Sequence, residues 1–73
     1  MISLVMNEPR RERVGSFKSY VDIGEYLSKH GETGKYFAIP DNIKSIAGMR
    51  EIIVINHGPT PKEKVLIIKE ARQ

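Results

Sequence analysis

The 73-residue sequence has no cysteine and no tryptophan. Without cysteine there is no disulfide and no thiolate zinc site to staple a small fold. The two histidines, His30 and His57, stand 27 positions apart (57 − 30). That is not a metal-ligand spacing, so neither a metal nor another cofactor is expected. The longest uninterrupted apolar run is Ile52 to Ile55, far short of the about 20 residues that a membrane-spanning helix needs. Met1 to Met6 is too short for the apolar region of a secretory signal and has no basic residue before it. A cytoplasmic protein without a membrane partner is the expectation. Catalytic patterns are missing as well: there is no G-x-x-x-x-G-K-[ST], no G-x-G-x-x-G and no H-E-x-x-H. Gly31-x-x-Gly34-Lys35 lacks the phosphate-loop spacing and reads as a turn. Glu8, Asp22, Glu51 and Glu63 fall in separate segments, which leaves no carboxylate pair for acid–base work. The chain is therefore read as a non-enzyme with no small-molecule substrate.

What is present is a globular balance, with 40% hydrophobic and 29% charged residues. The length allows a single domain, residues 1–73. A chain of this size buries only about 60% of its unfolded surface when it folds alone, so a homodimer with strands paired between chains is expected. Twelve Lys and Arg against nine Asp and Glu give a net charge of +3, a balance that permits a polyanionic partner.

Along the chain, Ile2 to Met6 reads as a strand, NEPRRER (7–13) as an exposed connection around Pro9, and Val14 to Val21 as a strand. Asp22 followed by Glu25 suggests an N-cap and capping box. Ile23, Tyr26, Leu27 and His30 share one helical face, with Gly31 as a left-handed stop. Lys35 to Ile39 is a compact strand that Pro40 ends. Pro40 or Asp41 then opens a second short helix with Ile43, Ile46 and Ala47 on one face and Gly48 at its end. Glu51 to Asn56 and Lys64 to Lys69, either side of the proline-stiffened turn His57 to Pro61, read as a C-terminal hairpin. The expected fold class is α+β in the order β-β-α-β-α-β-β: a small sheet of short strands with two short helices.

Tyr36 to Met49 (YFAIPDNIKSIAGM) resembles the swapped-hairpin DNA-binding domain of the AbrB, MazE and SpoVT relatives. Ile39-Pro40 matches that family's Ile-Pro, Ile43 its apolar position, Lys44 its basic position and Ala47-Gly48-Met49 its closing triplet. The resemblance spans about residues 31–71 and leaves 1–30 as an N-terminal extension with a strand and a short helix. It departs at Met49-Arg50-Glu51, where the family usually has a Gly-Asp turn, and at Tyr36 and Ala38. It implies an intertwined swapped-hairpin dimer that binds DNA.

The basic residues carry the functional expectation. Arg10, Arg11 and Arg13 cluster beside a turn with Lys18 beyond them, and Lys35, Lys44 and Arg50 lie in or beside the family-like segment. Arginines so placed can hold phosphates or read guanine edges. Tyr20, Tyr26, Tyr36 and Phe37 could stack on single-stranded bases, with alternation leaving open which of Tyr36 and Phe37 faces the core. The sequence thus points to a dimeric nucleic-acid-binding protein, DNA ahead of RNA, acting as a regulator or architectural protein. A small RNA- or ribosome-associated protein and a protein-interaction module are the alternatives.

Overall fold

A computed structural model describes residues 1–41, 49–60 and 63–70. Five strands, β1 (Ile2–Glu8), β2 (Glu12–Phe17), β3 (Gly34–Pro40), β4 (Arg50–Asn56) and β5 (Lys64–Glu70), and one helix, α1 (Tyr20–His30), make up the described elements. The strands form a single sheet in the order β2-β1-β3-β4-β5, antiparallel throughout.

The expected α+β unit with two short helices and a hairpin, open to an intertwined swapped-hairpin dimer, is corrected by this topology. Strands hold 56% of the described residues against 20% in helix. Every strand finds its neighbours within one chain. The reason lies at the N-terminus, where Ile2, Leu4 and Met6 alternate with more polar or half-buried residues and all three point into the core. Pairing with β2 on one side and β3 on the other makes β1 an interior strand, so residues 1–30 share the sheet with the rest of the chain. Pro40 closes β3 opposite Ile2 instead of opening a helix, and the Asp41 N–H donates to the Met1 carbonyl at 3.2 Å. The second helix expected around Ile43, Ile46 and Ala47 lies outside the described residues.

Two local readings also change. β2 begins at Glu12, inside the arginine-rich segment, and ends at Phe17. A shift of register leaves Val14 as an extra residue facing the Leu4–Val5 step of β1. Ser19, not Asp22, caps α1: its backbone is extended and its hydroxyl accepts the Asp22 N–H at 3.2 Å. Asp22 instead places its charge in the first turn, while Lys29 and His30 lie in the last, both favourable to the helix dipole. Gly31 ends the helix at φ −68°, outside the left-handed region, with its N–H donating to Leu27 O.

One face of the sheet is closed by α1. Ile23 and Leu27, four residues apart, meet Ile2, Leu4, Met6, Tyr36, Ala38, Ile52 and Val54 in one apolar cluster. Tyr26 lies at its margin, with its ring centroid 5.4 Å from that of Phe17 and 5.2 Å from that of His30.

Candidate nucleic-acid interface

Residues directly opposite in an antiparallel ladder point to the same face, and successive residues alternate. Since Leu4, Ala38, Ile52 and Val54 point to the helix, their neighbours Val5, Phe37, Ile39, Ile53 and Ile55 must point away from it. Arg13, opposite Val5, and Val65, Ile67 and Lys69 of β5 join them. No described element packs on this second face, and Val65 and Ile67 remain 38% and 44% exposed.

The register settles the choice between Tyr36 and Phe37. Tyr36 is in the core at 2% exposure. Its hydroxyl accepts the Glu32 N–H at 2.9 Å and donates to Glu32 O at 3.0 Å. Burial raises the phenol above its ordinary pKa. Phe37 lies half-buried on the open face of the central strand.

One row of side chains crosses all five strands there: Arg13, Val5, Phe37, Glu51 and Lys69. With strands about 4.8 Å apart, the Cα atoms of Arg13 and Lys69 each lie about 10 Å from that of Phe37. Lys35, two residues back along β3, is about 7 Å from it. Lys69 holds Glu51 at 3.2 Å and so offsets the one carboxylate in the row. Lys35 reaches Glu8 only at 3.9 Å, between largely exposed groups, a contact of little energy. Arg13 donates to Ser16 Oγ at 2.7 Å and Arg11 to Asn7 Oδ1 at 2.9 Å. These partners are neutral, and among the described residues no carboxylate forms a salt bridge with either arginine. The result is an aromatic ring in the middle of an open sheet with cations around it.

The other expected residues are placed differently. Arg10 belongs to the same corner but its charge is spent on carboxylates: Nε on Glu12 at 2.9 Å, Nη1 and Nη2 on Glu32 at 3.1 and 2.9 Å. It flanks a small cavity of about 170 Å³ beside Tyr36 and the end of α1, below the size of ordinary ligand pockets. Arg50 lies on the helix side, its guanidinium 5.4 Å from the Tyr20 ring centroid. Lys18 is exposed in the bend before Ser19, at the opposite end of β2 from Arg13. Lys44 lies outside the described residues. The structure thus gathers Arg11, Arg13 and Lys35 and disperses Lys18 and Arg50. Lys69 enters through strand register, which spacing along the chain does not reveal, and the same register assigns Phe37, already a stacking candidate, to the open face.

The Arg10 pair has a pH consequence. The hydrogen bonds and charge of Arg10 lower the Glu32 pKa in the folded chain. A carboxylate lowered in this way adds stability that is present above its unfolded pKa and lost as pH falls through its folded value. Carboxyl NMR titration should find Glu32 below the ordinary glutamate range, and Arg10→Ala should raise it. An unchanged Glu32 titration in that variant would show that the pair does not persist in solution.

Among the described residues no helix is long and apolar enough to cross a membrane. No family model, curated protein or solved structure matches the chain.

Proposed function

We propose that the chain binds nucleic acid on the open face of its sheet, with Phe37 as a stacking platform and Arg13, Lys35 and Arg11 holding the backbone. The observation that carries this reading is Phe37 itself, an aromatic ring on the middle strand of a sheet face on which no described element packs, with Arg13 two strands away and Lys35 two residues back along β3. A flat ring beside cations suits unpaired bases, because every base offers a π-face and the phosphates follow the basic groups. Single-stranded nucleic acid is therefore the preferred ligand class, and the surplus of cations over the whole chain favours its approach.

Fluorescence anisotropy with labelled single-stranded DNA, single-stranded RNA and duplex DNA, titrated with salt, tests the proposal. Phe37→Ala should weaken single-strand binding by about 1–3 kcal/mol, the usual contribution of one stacked base. Arg13→Ala and Lys35→Ala should each reduce the log–log salt slope by about 0.7, the value for one phosphate on a single strand. Tighter binding to duplex DNA that is indifferent to Phe37 would replace stacking with the groove-binding regulator that the family resemblance implies. Weak binding to every probe, unaltered by the three substitutions, would remove nucleic acid as the partner.

A further inference from the structure

The two edges of the sheet are unlike each other. β2 is protected: it is the shortest strand, it carries the Val14 bulge, and Glu12 and Arg13 stand at its start. β5 has no bulge, and its charges stand only at its ends, Lys64 at the start and Lys69 and Glu70 at the finish. Its seven residues, KVLIIKE, contain no proline or glycine and pair with β4 in unbroken register. Val65, Ile67 and Ile68 are 38%, 44% and 47% exposed. No described strand pairs with its outer side. A straight, β-branched, uncovered edge is a template for another strand.

We propose that this edge pairs antiparallel with the β5 edge of a second copy of the chain, about a two-fold axis at Ile67, joining two five-stranded sheets into one of ten strands. No segment is exchanged between the copies, and the argument is independent of the nucleic-acid reading.

The charge pattern selects the occupant and the register. In an antiparallel pair, facing residues share a face. A two-fold axis perpendicular to the sheet must therefore pass through a residue of the strand, and Leu66, Ile67 and Ile68 are the central choices. Only Ile67 pairs all seven residues. It sets Lys64 against Glu70 of the second copy at both ends, Leu66 against Ile68 on the helix side, and Ile67 against its own copy on the open side. Val65 then lies beside Lys69, whose ammonium is already held by Glu51 and whose stem can cover the valine. An axis at Leu66 would set Lys64 against Ile68, and one at Ile68 would set Leu66 against Glu70. Each forfeits both Lys64–Glu70 ion pairs and sets Lys64 or Glu70, unlike the Glu51-bound Lys69, against an aliphatic side chain. Lys64 also donates to Gly31 O at 2.8 Å, but an ammonium carries three donors and can serve both partners.

The arrangement leaves both open faces on the same side of the joined sheet. The two Phe37 positions are then separated by five strand spacings across the sheet and four residues along it, about 28 Å. If the nucleic-acid reading holds, one strand of nucleic acid can engage both.

Light scattering and sedimentation over a concentration series, with circular dichroism to confirm folding, provide the test. The wild-type chain should dimerise. Lys64→Glu alone sets two glutamates against each other at both ends, and Glu70→Lys alone sets two lysines. Each variant should dimerise roughly tenfold more weakly. Mixed in equal amounts they should recover wild-type association, because each end again holds opposite charges. Ile67→Lys, at an exposed position, should abolish the dimer while preserving the circular dichroism. A wild-type chain that stays monomeric at about 100 μM, where a specific homodimer should be populated, overturns the proposal. So do charge variants that associate as wild type. A dimer broken by Ile53→Lys but not by Ile67→Lys also overturns it, since the sheets would then be packed face to face.

Discussion

Leu4→Ala is expected to destabilise the protein by about 4–5 kcal/mol, near the top of the range for leucine truncation in a core. Leu4 is fully buried in the interior strand β1. Its cross-strand neighbours are Gly15 on β2 and Ala38 on β3. The leucine therefore fills the space above two positions with little or no side chain. Neither neighbour can move into the cavity that truncation leaves, and Ile23 and Leu27 are held to it by the helix. Residual cavity volume is what separates costly from mild leucine deletions. A 73-residue chain has a total stability of about 4–11 kcal/mol at the usual contribution per residue, so the substitution removes between roughly a third and all of it. Urea denaturation reads the loss directly. Val65→Ala, at a position 38% exposed, serves as the control and should shift the midpoint only slightly. A loss below about 1 kcal/mol for Leu4→Ala would mean that β1 is not part of the core.

That position also shows how far the sequence could be read. The β-branched segments EIIVIN and KVLIIK are strands and pair with each other along all six residues, as their composition indicates. The helix is legible from Ile23 and Leu27, although its cap lies three residues earlier than Asp22 suggests. Ser19 is equally good cap chemistry, and propensity alone cannot rank two adequate caps when Tyr20 and Val21 can join the first turn. The place of β1 was not legible. A short apolar run at the start of a chain suits an edge or an interior strand alike. Only its contacts with β2 on one side and β3 on the other, both between segments distant in sequence or separated by a turn, decide the matter. The start of β2 was obscured for a related reason, although Val14 to Phe17 reads as strand. Its first residues, Glu12 and Arg13, look like part of a solvated connection, yet a strand with one face open to water accepts charge.

The candidate site follows the same logic. The arginine cluster is visible in the sequence, but which of its members keeps a free charge depends on Glu32, 22 residues from Arg10. Phe37 and Tyr36 are interchangeable by pattern until the pairing of β3 with β1 assigns the tyrosine to the core. Its hydroxyl is then satisfied by Glu32 at the end of the helix, and the phenylalanine is left to the open face. A polar tip that finds a partner can be buried. The ring without one takes the outer face because side chains alternate along β3, and Ala38 next to it is inside.

Glycine substitutions should give effects of opposite sign, the larger at Gly34, where alanine should cost about 3–4 kcal/mol. Gly34 opens β3 at φ +158°. A Cβ built there would collide with the Glu8 carbonyl oxygen and would lie 3.1 Å from the Glu8 carbonyl carbon and 3.2 Å from Pro9 Cδ. These obstacles are backbone and a proline ring, which cannot rotate aside as a flexible side chain would. They are in place because the β1–β3 register shifts between Met6 and Glu8, folding the end of β1 over the start of β3. Accommodating the methyl group would require parting the two strands at the corner that carries Lys35 and the arginine turn. Gly24, in the middle of α1, has no atom within 4 Å of a built Cβ. Alanine there should stabilise the chain by about 0.5–1 kcal/mol through helix propensity. Paired denaturation curves check both: Gly24→Ala should move to higher denaturant and Gly34→Ala to much lower. A Gly34→Ala protein as stable as wild type would show that the end of β1 does not close on β3.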